Sequence, residues 1–374
     1  MFIERKMTDR ERFLNVMEYK SVDRVPNHEA GVWAQTKDRW VKEGLNESNM
    51  RCDWFMGEEY FQIDEREFID VKYGLMIPEF PYEVIERNER YELIRHSNGV
   101  VRKALIDGTC MDQYISFPVS NLDDFHELKK RFALDFDARY PAQWKETMLP
   151  LWKNREGVLA LPRNEFSTGF YCCARQWMGT ENTAYAWYDQ PELMHEIMEF
   201  SADYVIELSK PLLEETDVDY YLLSDDMAMK NGPMMSPEIF KKFIFPHMRR
   251  LIDFLKSNGV KYVAVDTDGN SEALIPLFIE AGIDAMWPLE RAAGMDPVKI
   301  RKKFGKTLRL WGGVDKMELM KGKDAIEEHL TSLAPLVEEG GFIPTVDHLV
   351  SPDISLENFR YYMKRKFDLL SGKF

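Results

Sequence analysis

An apolar strand that runs straight into two carboxylates is the clearest chemical signal in this chain: Val263-Ala264-Val265-Asp266-Thr267-Asp268-Gly269-Asn270. Strand side chains alternate in direction, so Asp266 and Asp268 point the same way if the extended geometry persists. Two like charges held that close call for a cation, a shared proton or a donor from a substrate. The end of a buried strand is also where α/β enzymes place their chemistry. The plainer alternative is that the two Asp residues cap the following helix and shape the Gly-Asn turn.

Other polar residues fall at similar positions. Asp225 and Asp226 follow the apolar run Asp219-Tyr220-Tyr221-Leu222-Leu223, Glu290 follows Asp284-Ala285-Met286-Trp287, and Asp315 follows Thr307 to Trp311 and the pair Gly312-Gly313. Asp347 and His348 follow Gly341-Phe342-Ile343-Pro344. Two carboxylates and an imidazole can hold a zinc ion and leave one position open, so Asp266, Asp268 and His348 form a candidate metal set. Such donors select zinc over other divalent metals only weakly. Asp226, Glu290 and His348 are the candidate catalytic residues, able to orient a substrate or pass a proton. His28 lies at the end of the expected first strand and is a candidate for the same mouth. Trp33, Tyr171, Trp177 and Trp287 are candidates to wall a pocket for a flat or apolar substrate, with core packing as the alternative for each. His195 and His247 lie inside helical patterns and read as structural.

The elements that must position these residues alternate. A capping box, Thr8 followed three residues later by Glu11, starts a first amphipathic helix. From about residue 155 onward strands and helices alternate: a strand at Gly157 to Leu161, a helix from Glu192 to Glu215, and a helix from Pro237 to Lys256 with Ser236 as N-cap. A strand at Tyr262 to Val265, a helix from Glu272 to Glu280 stopping at Gly282, a helix from Ala325 to Glu338 and a helix from Ser355 to Leu370 complete the series. Such repeats imply parallel strands. The predicted fold is a single-domain (β/α)8 TIM barrel over residues 1–374, with an N-terminal helical and hairpin elaboration. Residues 66–120 form its antiparallel part, built around an Asn98-Gly99 turn. A doubly wound open sheet is the alternative; no Gly-x-Gly-x-x-Gly follows a strand.

Composition narrows the function. The 374 residues carry a net charge of −15, which disfavours a nucleic-acid partner. Hydrophobic residues make up 45%, enough for a packed core. No apolar run spans a membrane, and the N-terminus lacks the apolar core of a signal peptide, so a cytoplasmic protein is expected. Cys52, Cys110, Cys172 and Cys173 form no CxxC pair and fit a reducing compartment. Cys172-Cys173 would be a poor ligand pair, because sequence neighbours do not readily share one ion.

Several segments carry a resemblance. Met7-Thr8-Asp9-Arg10-Glu11-Arg12-Phe13 with Asp23-Arg24-Val25-Pro26, Asp225-Asp226-Met227 through Gly232-Pro233-Met234-Met235-Ser236-Pro237-Glu238, and Asp266-Thr267-Asp268-Gly269-Asn270 are followed by Gly312-Gly313-Val314-Asp315-Lys316, Asp347-His348 and Ser355-Leu356-Glu357-Asn358. In that order they resemble the uroporphyrinogen decarboxylase superfamily, and are similar to its corrinoid and coenzyme M-type methyltransferase branch. The resemblance implies a barrel with its site at the strand C-termini. The branch's zinc enzymes use His-x-Cys on one strand and Cys on the last; Asp266 and Asp268 match the first two positions, and His348 falls at or beside the third. Decarboxylases of the family carry an Arg-rich stretch after the first strand, where this chain has Asn27-His28-Glu29-Ala30-Gly31-Val32-Trp33.

The resemblance implies a metal-assisted methyltransferase, moving a methyl group between a small methylated compound, such as an aryl methyl ether, and a corrinoid protein or related acceptor. The corrinoid would come from a separate protein, since no Asp-x-His-x-x-Gly cobalamin signature occurs. Members of the family often pair as homodimers. A uroporphyrinogen decarboxylase-type lyase and a non-catalytic ligand-binding barrel are the alternatives.

Overall fold

The computed structural model describes residues 3–50, 55–107, 110, 112–162 and 166–374. Cys52 lies outside them. Among the described residues, seven strands pair in one all-parallel sheet, in the order Arg66–Phe68, Val158–Leu161, Val218–Ser224, Val260–Asp266, Ala285–Trp287, Arg309–Trp311 and Phe342–Ile343. Spatial order follows chain order, as successive strand–helix units require. Val218–Ser224 is buried at every position, the pattern of a strand covered on both faces.

The sheet curls. Its two edge strands are not paired to each other; the extended segment 25–33 runs between them. Val32 bridges Val350 in parallel, while Asn27 O and Ala30 O accept from Asp64 N (3.0 Å) and Phe55 N (3.1 Å). The expected first strand is thus an irregular segment rather than a regular ladder, in the place an eighth barrel strand would take. Glu29 anchors it. One carboxylate oxygen accepts from Tyr362 Oη and Lys366 Nζ, both at 2.6 Å, and the other from Val346 N at 2.9 Å.

Helices begin where the sequence places their caps. Thr8 and Glu11 form the reciprocal capping box of helix Asp9–Met17. Ser236 accepts from Ile239 N, and Ser355 from Asn358 N. The helix expected from Pro237 passes through a π-type turn at Phe240–Ile244 before continuing as Phe245–Ser257, because Pro246 cannot donate to the helical ladder. Strands Tyr91–Arg95 and Val101–Leu105 form the expected hairpin inside a four-stranded antiparallel sheet that also includes Glu83–Arg87 and Gln113–Ser116. Among the described residues no helix is long and apolar enough to cross a membrane.

Candidate functional site

The strand ends are laced together by backbone hydrogen bonds. Asp225 N donates to Asp266 O (2.8 Å), Thr267 N to Trp287 O (3.1 Å), Gly313 N to Pro288 O (3.0 Å) and Asp347 N to Val314 O (2.8 Å). The candidate acids are thereby carried on one rim. In-register pairing of Asp266 with Ser224 on one side and Trp287 on the other sets their level.

Not every acid on that rim is available. Asp225 is fully buried and accepts from Phe170 N (3.0 Å) and Cys172 N (2.9 Å), capping helix Phe170–Met178 from a different strand. Burial outweighs these donors and pushes its carboxyl up to about 7. Gly169 makes this approach possible; a Cβ there would lie 2.2 Å from Ser224 O and 2.8 Å from Asp225 Oδ1. Asp347 accepts from Arg291 N (2.9 Å) and Lys316 N (3.2 Å), and burial pushes it up to about 6. Asp315 caps helix Lys316–Lys321 through Met317 N. These three serve local architecture, the role any Asp can take at a turn or helix start.

Asp226, Asp266, Asp268, Glu290 and His348 form the remaining cluster. Asp226 Oδ1 accepts from Asp268 N at 3.0 Å, and Glu290 Oε2 from Gly269 N at 2.9 Å, so both carboxylates brace the turn that carries Asp268. Asp266 is buried and accepts from Ser224 Oγ at 3.2 Å. Burial, reinforced by the Asp268 and Asp226 charges, raises its carboxyl well above the usual range and favours its protonated form. Asp226 is raised for the same two reasons, burial and then Asp268.

His348 Nε2 lies 3.3 Å from Asp268 Oδ2, and its ring stacks on Trp287 with centroids 6.4 Å apart at 26°. Burial works against the imidazolium, but the Asp268 hydrogen bond and charge prevail and raise the His348 pKa. Two cations join the rim that sequence reasoning gave no role. Arg175 Nη2 stands 3.5 Å from Asp226 Oδ2 and 3.8 Å from Cys172 Sγ; Lys316 Nζ stands 3.7 Å from Glu290 Oε1. Lys316 sits in the matched Gly-Gly-Val-Asp-Lys segment, so a signal existed for it. Arg175 lies on a helix with no such signal. The rim therefore alternates acid and base instead of being uniformly negative.

The candidate metal set does not assemble as a ligand set. Among the described residues no three His, Cys, Asp or Glu side chains are grouped so that they could hold a metal ion. His348 Nε2 faces an Asp268 oxygen directly, as a hydrogen-bonded ion pair does, and Asp266 turns to Ser224. Cys172 and Cys173 diverge, the first accepting from Asp226 N at 3.1 Å and the second facing Ser167 O at 3.3 Å.

The aromatic candidates separate as well. Trp287 is half-buried beside His348. Trp33 is 46% exposed at the start of helix Ala34–Lys42, its N–H donating to Val350 O, two residues past His348. Tyr171 is fully buried, its hydroxyl turned to Met234 Sδ at 3.3 Å. Trp177 packs in the core against Phe125 and Phe132. His28 does not open onto the rim: it is fully buried, 6.0 Å from Phe13 and 5.4 Å from Trp311 between ring centroids. An inward-facing position on a curled sheet points to the barrel axis, whatever the residue's polarity.

The uroporphyrinogen decarboxylase family model matches residues 166–366, which include every member of the cluster. The chain is similar to the uroporphyrinogen decarboxylase of Hydrogenovibrio crunogenus, 26% identical over 186 residues that make up 49% of this chain and 50% of that protein. It is also similar to the enzyme of the same name from Campylobacter lari, 24% identical over 47% of this chain and 49% of that one. The chain thus spans about half the length of the curated relatives it matches. Its fold resembles that of a methyltransferase from Methanosarcina mazei, with a TM-score of 0.61 at 14% identity, covering 97% of this chain and 99% of that one. Since the family model takes in more than half of the sequence, the chain belongs to the uroporphyrinogen decarboxylase family.

Proposed function

We propose that this protein is an enzyme that transfers a methyl group from a small methylated compound, such as an aryl methyl ether, to an acceptor held by a separate corrinoid protein. The observation that carries this reading is the His348–Asp268 pair set against the face of Trp287. A flat ring has a surface to lie on, and an imidazolium stands ready to protonate the oxygen left behind when its methyl group departs. Asp268 keeps that proton on His348 before the reaction. Asp226 and Glu290 hold the Asp268 turn, and Arg175 and Lys316 balance their charges. A corrinoid, when brought by its own protein, supplies the nucleophile. No step is assigned to zinc, because His348 pairs with Asp268 and Asp266 turns to Ser224.

A decarboxylase reading is favoured by the two similar enzymes and by family membership. The segment 27–33 argues against it. The Glu29 carboxylate is spent on Lys366, Tyr362 and Val346 N, and Trp33 is exposed where a cationic clamp for a polycarboxylate would be needed. An acidic protein also repels such a substrate. The test is to mix the protein with methylated aromatics and a methyl-accepting corrinoid protein, and to follow the corrinoid spectrum. A parallel reaction with uroporphyrinogen that yields coproporphyrinogen, with no methyl transfer in the first, would reverse the assignment.

A further inference from the structure

Beneath the rim, the barrel interior holds a buried cation that no carboxylate among the described residues pairs with. Arg66 is 9% exposed and forms no ion pair with another described residue. Its Nη2 donates to Glu29 O (2.7 Å) and Phe55 O (3.2 Å), but its Nε has no partner. The carboxylate of Glu29, whose backbone carbonyl Arg66 meets, is already committed to Lys366 and Tyr362. Buried charges in folded proteins are paired, and an unpaired one is costly.

Other unsatisfied polar groups surround the same place. The Arg66 guanidinium lies 5.6 Å from the centroid of the Trp311 ring. The His28 ring is 5.4 Å from Trp311 on another side, and Tyr220 is 5.2 Å from it edge-on. Among the described residues, Trp311 Nε1 and both His28 ring nitrogens are buried without hydrogen bonds, and the only group facing buried Tyr220 Oη is the Arg66 guanidinium itself. Phe13 and Phe68 complete the wall, 5.5 Å and 5.9 Å from Tyr220. A guanidinium N–H, an indole N–H, a phenol and a neutral imidazole can together offer four donors. No carboxylate among the described residues pairs with Arg66 to receive them.

We propose that this donor-rich cluster around Trp311 binds a small monovalent anion, a halide or a carboxylate no larger than formate, which neutralises Arg66. The guanidinium N–H and the indole N–H bind it, and the aromatic walls exclude larger ions. The site is separate from the Asp268–His348 rim and does not depend on the reaction assigned there.

Crystals soaked in bromide test its position: an anomalous peak is expected within hydrogen-bonding distance of Arg66 Nε and Trp311 Nε1. In solution at constant ionic strength, replacing gluconate by chloride or formate should raise Tm saturably, by about 2 °C or more. Arg66→Met should abolish that response and, in gluconate, should unfold no earlier than the unaltered protein. Trp311→Phe keeps the ring and removes one donor, and should raise the half-saturating chloride concentration at least about three-fold, the scale of one lost hydrogen bond. If chloride responds and formate does not, the site is halide-selective within the proposed class. A bromide-free cluster holding only water, equal Tm in chloride, formate and gluconate, or a full chloride response in Trp311→Phe would overturn the proposal.

Discussion

His348 Nε2 and Asp268 Oδ2 approach to 3.3 Å across the gap between two strand ends, joining the last parallel strand to a strand near the middle of the sheet. The contact raises the His348 pKa despite burial. The ion pair is therefore fully present below the ordinary histidine value and is lost as pH rises through the elevated one. Asp268→Asn should lower the His348 pKa measured by NMR titration of the ring protons. An unchanged pKa would mean that Asp268 does not hold the proton. His348→Gln should reduce methyl transfer by about 100-fold if the imidazolium is the acid.

Gly169 makes a close backbone approach at the rim. Gly169→Ala places a methyl 2.2 Å from Ser224 O, a backbone atom that cannot swing away. The substitution should destabilise the fold by about 3 kcal/mol. Urea denaturation measures this directly, and a change below about 0.5 kcal/mol would show that helix Phe170–Met178 shifts freely.

Asp225 sets a pH dependence of stability. Its folded value of about 7 lies above the ordinary 3.8. Between those two values the folded state keeps a proton that the unfolded state has released, so this group's contribution falls as pH rises toward 7 and is flat above it. Buried His28, held well below its ordinary 6.5 chiefly by burial, has the opposite sign: it favours folding as pH rises to about 6.5. The two are separated by Asp225→Asn. The stability difference between the unaltered protein and this variant should shrink by about 1 kcal/mol per pH unit from pH 5 to 7. A difference independent of pH would contradict the assignment.

The metal question has a sharp readout. With His348 bonded to Asp268, and Asp266 turned to Ser224, added zinc should bind no more weakly to His348→Ala than to the unaltered protein. Equilibrium dialysis with elemental analysis of chelator-free protein measures this. One tightly held metal per chain, lost in His348→Ala, would restore the ligand set read from the sequence.

Local structure was legible in the chain because its signals are short-range. Thr8 with Glu11, Ser236 and Ser355 mark helix starts by hydrogen bonds spanning three residues, and the Asn98-Gly99 turn joins the hairpin. The alternation of apolar runs and acids located the strand ends, and the order of those runs gave the parallel sheet. What the sequence could not reveal was which acids remain free. Asp225 and Asp226 are neighbours, yet one is consumed by amides 55 and 53 residues away, while the other faces Arg175 and the Asp268 turn. His28 and Glu29 are also neighbours; one enters the aromatic interior, and the other meets a lysine 337 residues later. Periodicity tells which way a side chain points, but its partner, and hence its charge, depends on which distant segment folds against it. That was decided only when the sheet curled.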